Sequence, residues 1–144
     1  MYRISSLAFA LIFLLSACGS ETKEISKIEN PKLVAVAFFE AIYKENNINK
    51  AAAACSPKLS RLLLHYKTSK SVARHMFNMS FEEIIDIRPD DTGVKVRERF
   101  KDKAVVTVYL EGYYQGGKLK DVKRLSLIQK DNEWLIDEIL KDPF

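Results

Sequence analysis

The spacing of apolar residues changes once along this chain, near residue 80, and that change restricts the fold more than any other feature. Between Asn30 and Met79 the apolar side chains recur at three- and four-residue intervals, which is typical of amphipathic helices. From Phe81 onward they alternate with polar residues, which is typical of strands. Helices followed by a run of strands predict an α+β domain, with the N-terminal helices packed on a curved antiparallel sheet.

The helix starts are marked by polar residues directly before prolines, in Asn30-Pro31 and Ser56-Pro57. A side chain of either type can accept from a free amide of the first turn, and proline has no amide hydrogen to satisfy. A short helix is expected between them, over 48–55. A further helical piece is expected over 71–79.

Turn residues divide the second half of the chain into strands. Two short stretches are suited to tight hairpins, because glycine and asparagine tolerate positive φ: Gln115-Gly116-Gly117-Lys118 and Asp131-Asn132. Trp134 is expected to pack between the sheet and the helices. The last strands have apolar residues on both faces, so the face away from the helices is expected to be a concavity or a surface for a partner or a second copy. Strands are predicted near 81–87, 94–99, 104–113, 122–130 and 134–140.

The N-terminal segment is not expected to belong to the fold. Residues 1–17 have a basic start, an unbroken apolar run and small residues before Cys18, which is the order of a secretory signal. The apolar run is shorter than the 20 or so residues that a membrane-spanning helix needs. Residues 18–30 are mostly polar and are expected to form a flexible tether. A single domain over 31–144 would follow.

The end of this segment, Leu15-Ser16-Ala17-Cys18, resembles the lipobox of bacterial lipoproteins. That resemblance implies a lipid on the Cys18 thiol, cleavage before Cys18 and attachment to a membrane of the cell envelope. In a Gram-negative bacterium, Gly19 at the next position favours the outer membrane, with the domain facing the periplasm. An ordinary cleaved signal, with Cys18 first in the mature chain by chance, is the alternative.

Charge and cysteine content limit the partners. The formal net charge is +4, and acidic and basic residues alternate without a block of one sign. A solvated mixed surface is expected, and no nucleic-acid partner. If Cys18 carries a lipid, Cys55 has no partner for a disulfide. Its setting, directly after four alanines, predicts a buried free thiol.

No catalytic, cofactor-binding or metal-binding motif is recognisable, and none is predicted. Asp86 lies in an apolar strand, where it is either a solvent-facing residue of an edge strand or a buried acid able to act as a base. Asp137 has the same two interpretations. His65 and His75 are expected to be surface or packing residues.

Aromatic residues of the strands supply the remaining candidates. Tyr113 and Tyr109, together with Asp86, are proposed from the sequence as a surface for a ligand or partner. An apolar pocket could also be lined by strand aromatics, namely Tyr109, Tyr113, Tyr114 and Trp134. Aromatic residues at strand spacing more often build core, which is the alternative.

Three segments resemble the nuclear-transport-factor-2-like superfamily of cone-shaped α+β domains: residues 34–42 in the first helix, 47–52 after it, and 132–139 in the last hairpin. The chain is most similar to small bacterial lipoproteins of this fold without an assigned activity. The superfamily includes isomerases and dehydratases with an aspartate inside the cone, but no acid here can be matched to that position.

The function expected is that of a membrane-anchored envelope lipoprotein, without catalysis, whose domain binds a protein partner or a small apolar or envelope ligand. One alternative is a cone-fold enzyme using a pocket carboxylate, Asp86 or Asp137, with a histidine. Another is a subunit of an envelope or secretion assembly, and a homodimer through the open sheet face is also compatible with the pattern.

Overall fold

The computed structural model describes residues 24–91 and 102–141, and these form the α+β domain that the periodicity predicted. The leader, Cys18 and the strand expected over 94–99 lie outside the described residues. The elements are a 3-10 turn (Ile25–Lys27), α1 (Pro31–Tyr43), α2 (Ile48–Ala53), α3 (Pro57–His65), α4 (Ser69–His75), β1 (Glu83–Pro89), β2 (Lys103–Tyr114), β3 (Gly117–Lys130) and β4 (Glu133–Leu140).

The four strands form one antiparallel sheet in chain order, β1-β2-β3-β4. Both predicted hairpin turns are confirmed. Gln115 and Gly116 have φ of 49° and 74°, and Asp131 and Asn132 have φ of 51° and 64°. Two successive residues of positive φ are the geometry that joins twisted antiparallel strands most tightly. β3 begins at Gly117, five residues before its expected start, because its polar first half pairs with β2 as fully as its apolar second half.

Helix α1 lies at the centre of the core. Asn30 caps it as predicted, its side chain accepting from the amide of Lys32 at 2.9 Å. The helix contacts β1, β2 and β4 on one side and α2 and α4 on the other. Six of its side chains have at most 1% of their surface exposed: Val34, Ala35, Phe38, Phe39, Ala41 and Ile42.

The sheet supplies the other half of the core from one face only. Trp134 is buried, as expected, in the same apolar cluster as Phe38 and Leu63. The other sheet residues that are buried in this cluster alternate along their strands: Ile87, Val106, Val108, Leu110, Leu125, Leu127 and Ile136. Residues on the opposite face are half-buried or exposed, so the sheet has one covered face and one more open face.

The outer edge of β4 is protected by the chain between α2 and α3. The amide of Ser56 donates to the carbonyl of Ile136 at 2.8 Å. The amide of Ile136 donates in turn to the carbonyl of Ala54 at 2.9 Å. Ser56 precedes α3 as predicted, but its hydroxyl makes no cap hydrogen bond and is buried without a partner among the described residues. Cys55 is buried and free, as predicted, with its thiol 3.3 Å from the carbonyl oxygen of Ala51.

The packed domain begins before Pro31, where the sequence placed its start. Ile25 is only 3% exposed and belongs to the core cluster, and the 3-10 turn around it contacts β4, α1 and α2. Because the residues on both sides of Ile25 are polar, the sequence did not predict that Ile25 packs against the core. Residues 24–30, which the sequence assigned to the tether, therefore include part of the packed domain.

Candidate functional site

A cleft of about 870 Å³ opens beside the C-terminal end of α1. Its lining comes from α1, from α4, from the segment 78–82 that connects α4 to the sheet, and from the two strands of the β2–β3 hairpin. The larger apolar side chains in this lining are Ile42, Tyr43, Met79, Phe81, Tyr114 and Leu119.

The apolar wall of the cleft is an extension of the core. The ring of Tyr43 stacks on Phe39 with centroids 6.3 Å apart and meets Phe81 edge-on at 5.5 Å. The phenol of Tyr43 donates to the carbonyl of Met79 at 2.9 Å, which ties α1 to the connecting segment. Gly112 gives Phe81 its place on the sheet, since a Cβ there would lie 2.5 Å from the ring. Rings held on several sides in this way form a wall that exists before a ligand arrives.

The phenol of Tyr43 is unsuited to acting as a base. Burial raises the pKa of Tyr43 well above its usual value, and the negative charge of Asp121 raises it further. The group therefore remains protonated at ordinary pH. It can donate a hydrogen bond and offer an apolar ring to a ligand.

Among the described residues, two of the three charged side chains in the lining are basic. Lys70 and Arg74 are exposed and lie one helical turn apart on α4, so they share a helix face. Neither has an ion-pair partner among residues 24–91 and 102–141. Ser69, beside Lys70, is 4% exposed, and its hydroxyl has no hydrogen-bond partner in this part of the chain. Glu82 is the one acidic residue of the lining.

A smaller cavity of about 490 Å³ lies on the other side of Asn78 and Met79, which line both spaces. It contains an ion pair that sequence analysis missed. The Nζ atom of Lys123 lies 2.7 Å from Oδ2 of Asp121, although no donor is aligned for a hydrogen bond to that oxygen. The amide of Val122 donates to Oδ1 at 2.8 Å.

This pair is on the covered face of β3, where Lys123 is 7% exposed. The signal was present in the sequence, because Asp121 and Lys123 have the same parity as Leu125 and Leu127, two core residues of the same strand. The alternating charges of this stretch had indicated a solvated surface.

The three candidates from the sequence lie together on the opposite face of the sheet. Asp86 forms an ion pair with Arg88 at 3.2 Å, and its side chain is 48% exposed. The guanidinium of Arg88 lies over the ring of Tyr109, 5.2 Å from its centroid. Tyr113 is 42% exposed and pairs with Glu83 across the strands. The open face thus brings them together, but away from the cleft.

The same face has a second charged group next to these residues. Glu111 pairs with Asp86 in register and contacts both Lys118 and Lys120. Its hydrogen bond with Lys118 holds the pKa of Glu111 below its usual range. A carboxylate held ionised by two lysines is a poor proton acceptor.

Neither histidine of the sequence lines either cavity. His75 stacks on Tyr66 at 5.6 Å, and His65 meets the same ring edge-on at 5.6 Å. Both imidazoles are exposed. Asp137, the other candidate acid, is half-buried at the bulge where β4 shifts its register against β3.

Comparisons of the chain with models of known families, with curated proteins and with solved structures find no match. Among the described residues, no group of histidine, cysteine and acidic side chains is arranged to hold a metal ion. No helix in this part of the chain combines the length and the apolar character needed to cross a membrane.

Proposed function

We propose that this protein is a lipid-anchored component of the bacterial cell envelope whose domain is a non-catalytic binding module. The observation that carries the proposal is the cleft beside α1, with its apolar wall and basic rim. Its volume of about 870 Å³ lies within the range of pockets that hold small ligands, roughly 300 to 1,000 Å³. The ligand is therefore a small apolar or amphiphilic molecule of the envelope.

The chemistry of the described residues favours binding over catalysis. Tyr43 stays protonated, and Cys55 lies in the core, outside the lining of either cavity. The enzyme alternative requires a pocket carboxylate beside a histidine. Among the described residues, the half-buried carboxylate of Asp121 is nearest to this description, but its contacts are Lys123 and the amide of Val122. An acid neutralised by a fixed lysine is a structural pair more readily than a base.

The fold is proposed to be a variant of the nuclear-transport-factor-2-like cone. Support comes from the order of helices before strands, and from α1, which contacts three of the four strands. The cleft would then lie where the helices and the strand ends diverge.

The anchor in this proposal is a lipid on Cys18. From Cys18 to Ile25, the first core residue, a fully extended chain spans at most ~25 Å. The domain would thus remain next to the membrane surface, where amphiphilic ligands are concentrated. In a Gram-negative cell this surface is the periplasmic side of the outer membrane.

A protein partner is the second candidate, and it is favoured by the open sheet face. Tyr109, Arg88 and the exposed Tyr113 lie there, and tyrosine and arginine are enriched where proteins meet. A homodimer or an envelope assembly would use this face, leaving the cleft free.

The cleft is tested by filling it. The full chain, purified from its native membranes, is extracted with solvent, and the recovered small molecules are identified by mass spectrometry. Ser80→Trp places a large ring in the lining and should abolish recovery of any bound molecule. Ala53→Trp, at an exposed position of α2 outside both linings, is the control and should retain it. Equal recovery from both variants would reject the cleft as the binding site.

The anchor is tested separately by labelling cells with radioactive palmitate. The wild-type chain should be labelled and Cys18→Ala should not. Equal labelling of the two chains would contradict the lipoprotein part of the proposal while leaving the cleft untouched.

A further inference from the structure

The charges around the cleft identify the chemical class of its ligand. Resting on the function proposed above, we infer that the ligand is a single-chain amphiphile with one anionic head group, such as a long-chain carboxylate. Its head is held by Lys70 and Arg74, and its chain lies along the wall formed by Tyr43, Phe81 and Leu119.

The basic pair is free to bind such a head group. Several cations of this domain are occupied, as in the pairs of Lys44 with Glu40 and of Lys50 with Glu45. Lys70 and Arg74 have no such partner within the described residues, and both contribute to the cleft lining. Guanidinium and ammonium groups one turn apart can bind the same carboxylate, and hydrogen bonds between charged groups are the strong ones.

A buried hydroxyl beside this pair also lacks a partner. Ser69 lines the cleft, and its Oγ is buried without a hydrogen bond among the described residues. A buried hydroxyl of this kind is costly unless something pairs with it, and a carboxylate oxygen held by Lys70 would be an acceptor. Glu82, the acidic residue of the lining, would repel a second anionic group and so favours a ligand with a single charged end.

The wall beyond the basic pair suits a flexible apolar chain. Met79 adapts its shape readily, and Tyr114 is 43% exposed at the hairpin, so it can cover a bound chain without repacking the core. Each methylene removed from water adds a similar increment of binding free energy, so affinity should rise with chain length until the wall is covered.

The test measures binding of 11-(dansylamino)undecanoic acid by its fluorescence. The full chain is placed in nanodiscs of zwitterionic phosphatidylcholine, which have no net charge and contain no detergent to compete for the cleft. Binding should saturate at one probe per chain. Lys70→Glu with Arg74→Glu should weaken it at least about tenfold, because two charge-assisted contacts become repulsive.

The matched control is Lys58→Glu with Arg61→Glu, which makes the same change of charge at exposed positions of α3 outside both linings. It should change the affinity less than about twofold. In the wild type, the methyl ester of the probe should bind at least about tenfold more weakly than the acid. The affinity for the ester should be the same in the two double variants.

Other results overturn the inference. Equal loss in both double variants would mean that overall charge, rather than this pair, attracts the probe. Equal affinity for acid and ester would exclude an anion site yet preserve the cleft as an apolar site, so the proposed function would survive. Absence of saturable binding by either probe would reject both. Binding of the full chain to anionic vesicles, impaired by the Lys70 and Arg74 changes without any binding of monomeric probe, would assign the pair to the membrane surface instead.

Discussion

At the scale of single residues, burial in the core determines how much a side chain contributes to stability and how reactive it is. Trp134 stands at the start of β4 with 8% of its surface exposed, on the face covered by helices. Removal of a buried tryptophan side chain loses its apolar burial and leaves a cavity, at a cost of about 3 to 5 kcal/mol.

We therefore predict that Trp134→Ala loses a large share of the stability of a domain whose total is about 5 to 15 kcal/mol. Urea denaturation would measure the change. Leu135→Ala, the next residue and half-buried on the other face, is the control and should cost less. Similar losses in both variants would contradict the assignment of Trp134 to the core.

Cys55 illustrates how burial suppresses reactivity. Burial raises the pKa of its thiol far above the usual value of about 8.5. The unfolded thiol ionises above that pH while the folded one stays neutral, so this group opposes folding increasingly as the pH rises past 8.5. At pH 8.5 iodoacetamide should modify Cys55 slowly in the native protein and rapidly in denaturant. Rapid native modification would show an accessible thiolate.

At the scale of elements, the neighbouring helices α3 and α4 both follow a hydroxyl residue, but only one of the two hydroxyl groups caps its helix. Thr68 accepts from the amide of Ser71 at 3.1 Å and caps α4 with its side chain. Ser56 precedes α3, but its hydroxyl is buried and has no hydrogen-bond partner within residues 24–91 and 102–141. Its backbone amide instead pairs with β4.

The two caps should respond in opposite ways to truncation. Thr68→Ala should destabilise the domain by about 1 kcal/mol, the usual contribution of a capping side chain. Ser56→Ala should be neutral or slightly stabilising, because it removes an unsatisfied buried hydroxyl and breaks no bond. Thermal unfolding of the two variants side by side checks this. A larger loss in Ser56→Ala would show that its hydroxyl has a partner.

The same contrast shows which elements the sequence could predict. Asn30-Pro31 caps α1 through the Asn30 side chain, and Asp131-Asn132 turns the chain through its own positive φ angles. Both effects are local, so the sequence was sufficient for the start of α1 and the last hairpin. The pairing of Ser56 with Ile136 joins positions 80 residues apart in the chain, and no local signal announces it. The Asp121–Lys123 pair was missed although its parity with Leu125 and Leu127 was a local signal, because the alternating charges of this stretch indicated a solvated surface.

The cleft itself was beyond local prediction. Its lining combines α1, α4, the connecting segment and the hairpin, which the sequence separates by up to 77 residues between Ile42 and Leu119. The sequence directed attention to Asp86, Tyr109 and Tyr113 instead, because strand alternation reveals which residues share a sheet face but not which face the helices cover.

At the scale of the whole molecule, the position of the first packed residue connects the fold to the proposed anchor. Ile25 is 3% exposed and contacts the core through a turn that touches β4, α1 and α2. In the proposed lipoprotein, the chain that connects the lipid to the domain would therefore end before Ile25. A shorter connection would confine the cleft more closely to the membrane surface.

This boundary can be located by two fragments, one starting at Glu24 and the other at Asn30. The first retains Ile25 and should unfold at the same temperature as the full chain. The second lacks Ile25 and should be less stable by about 2 to 5 kcal/mol, because an isoleucine side chain is removed from a packed site. Ile25→Ala in the full chain should lose a similar amount. Lys27→Ala, in the same turn but exposed, should have almost no effect. If the fragment starting at Asn30 proved as stable as the longer one, residues 24–29 would belong to the tether, and the domain could stand farther from the membrane than the packed turn allows.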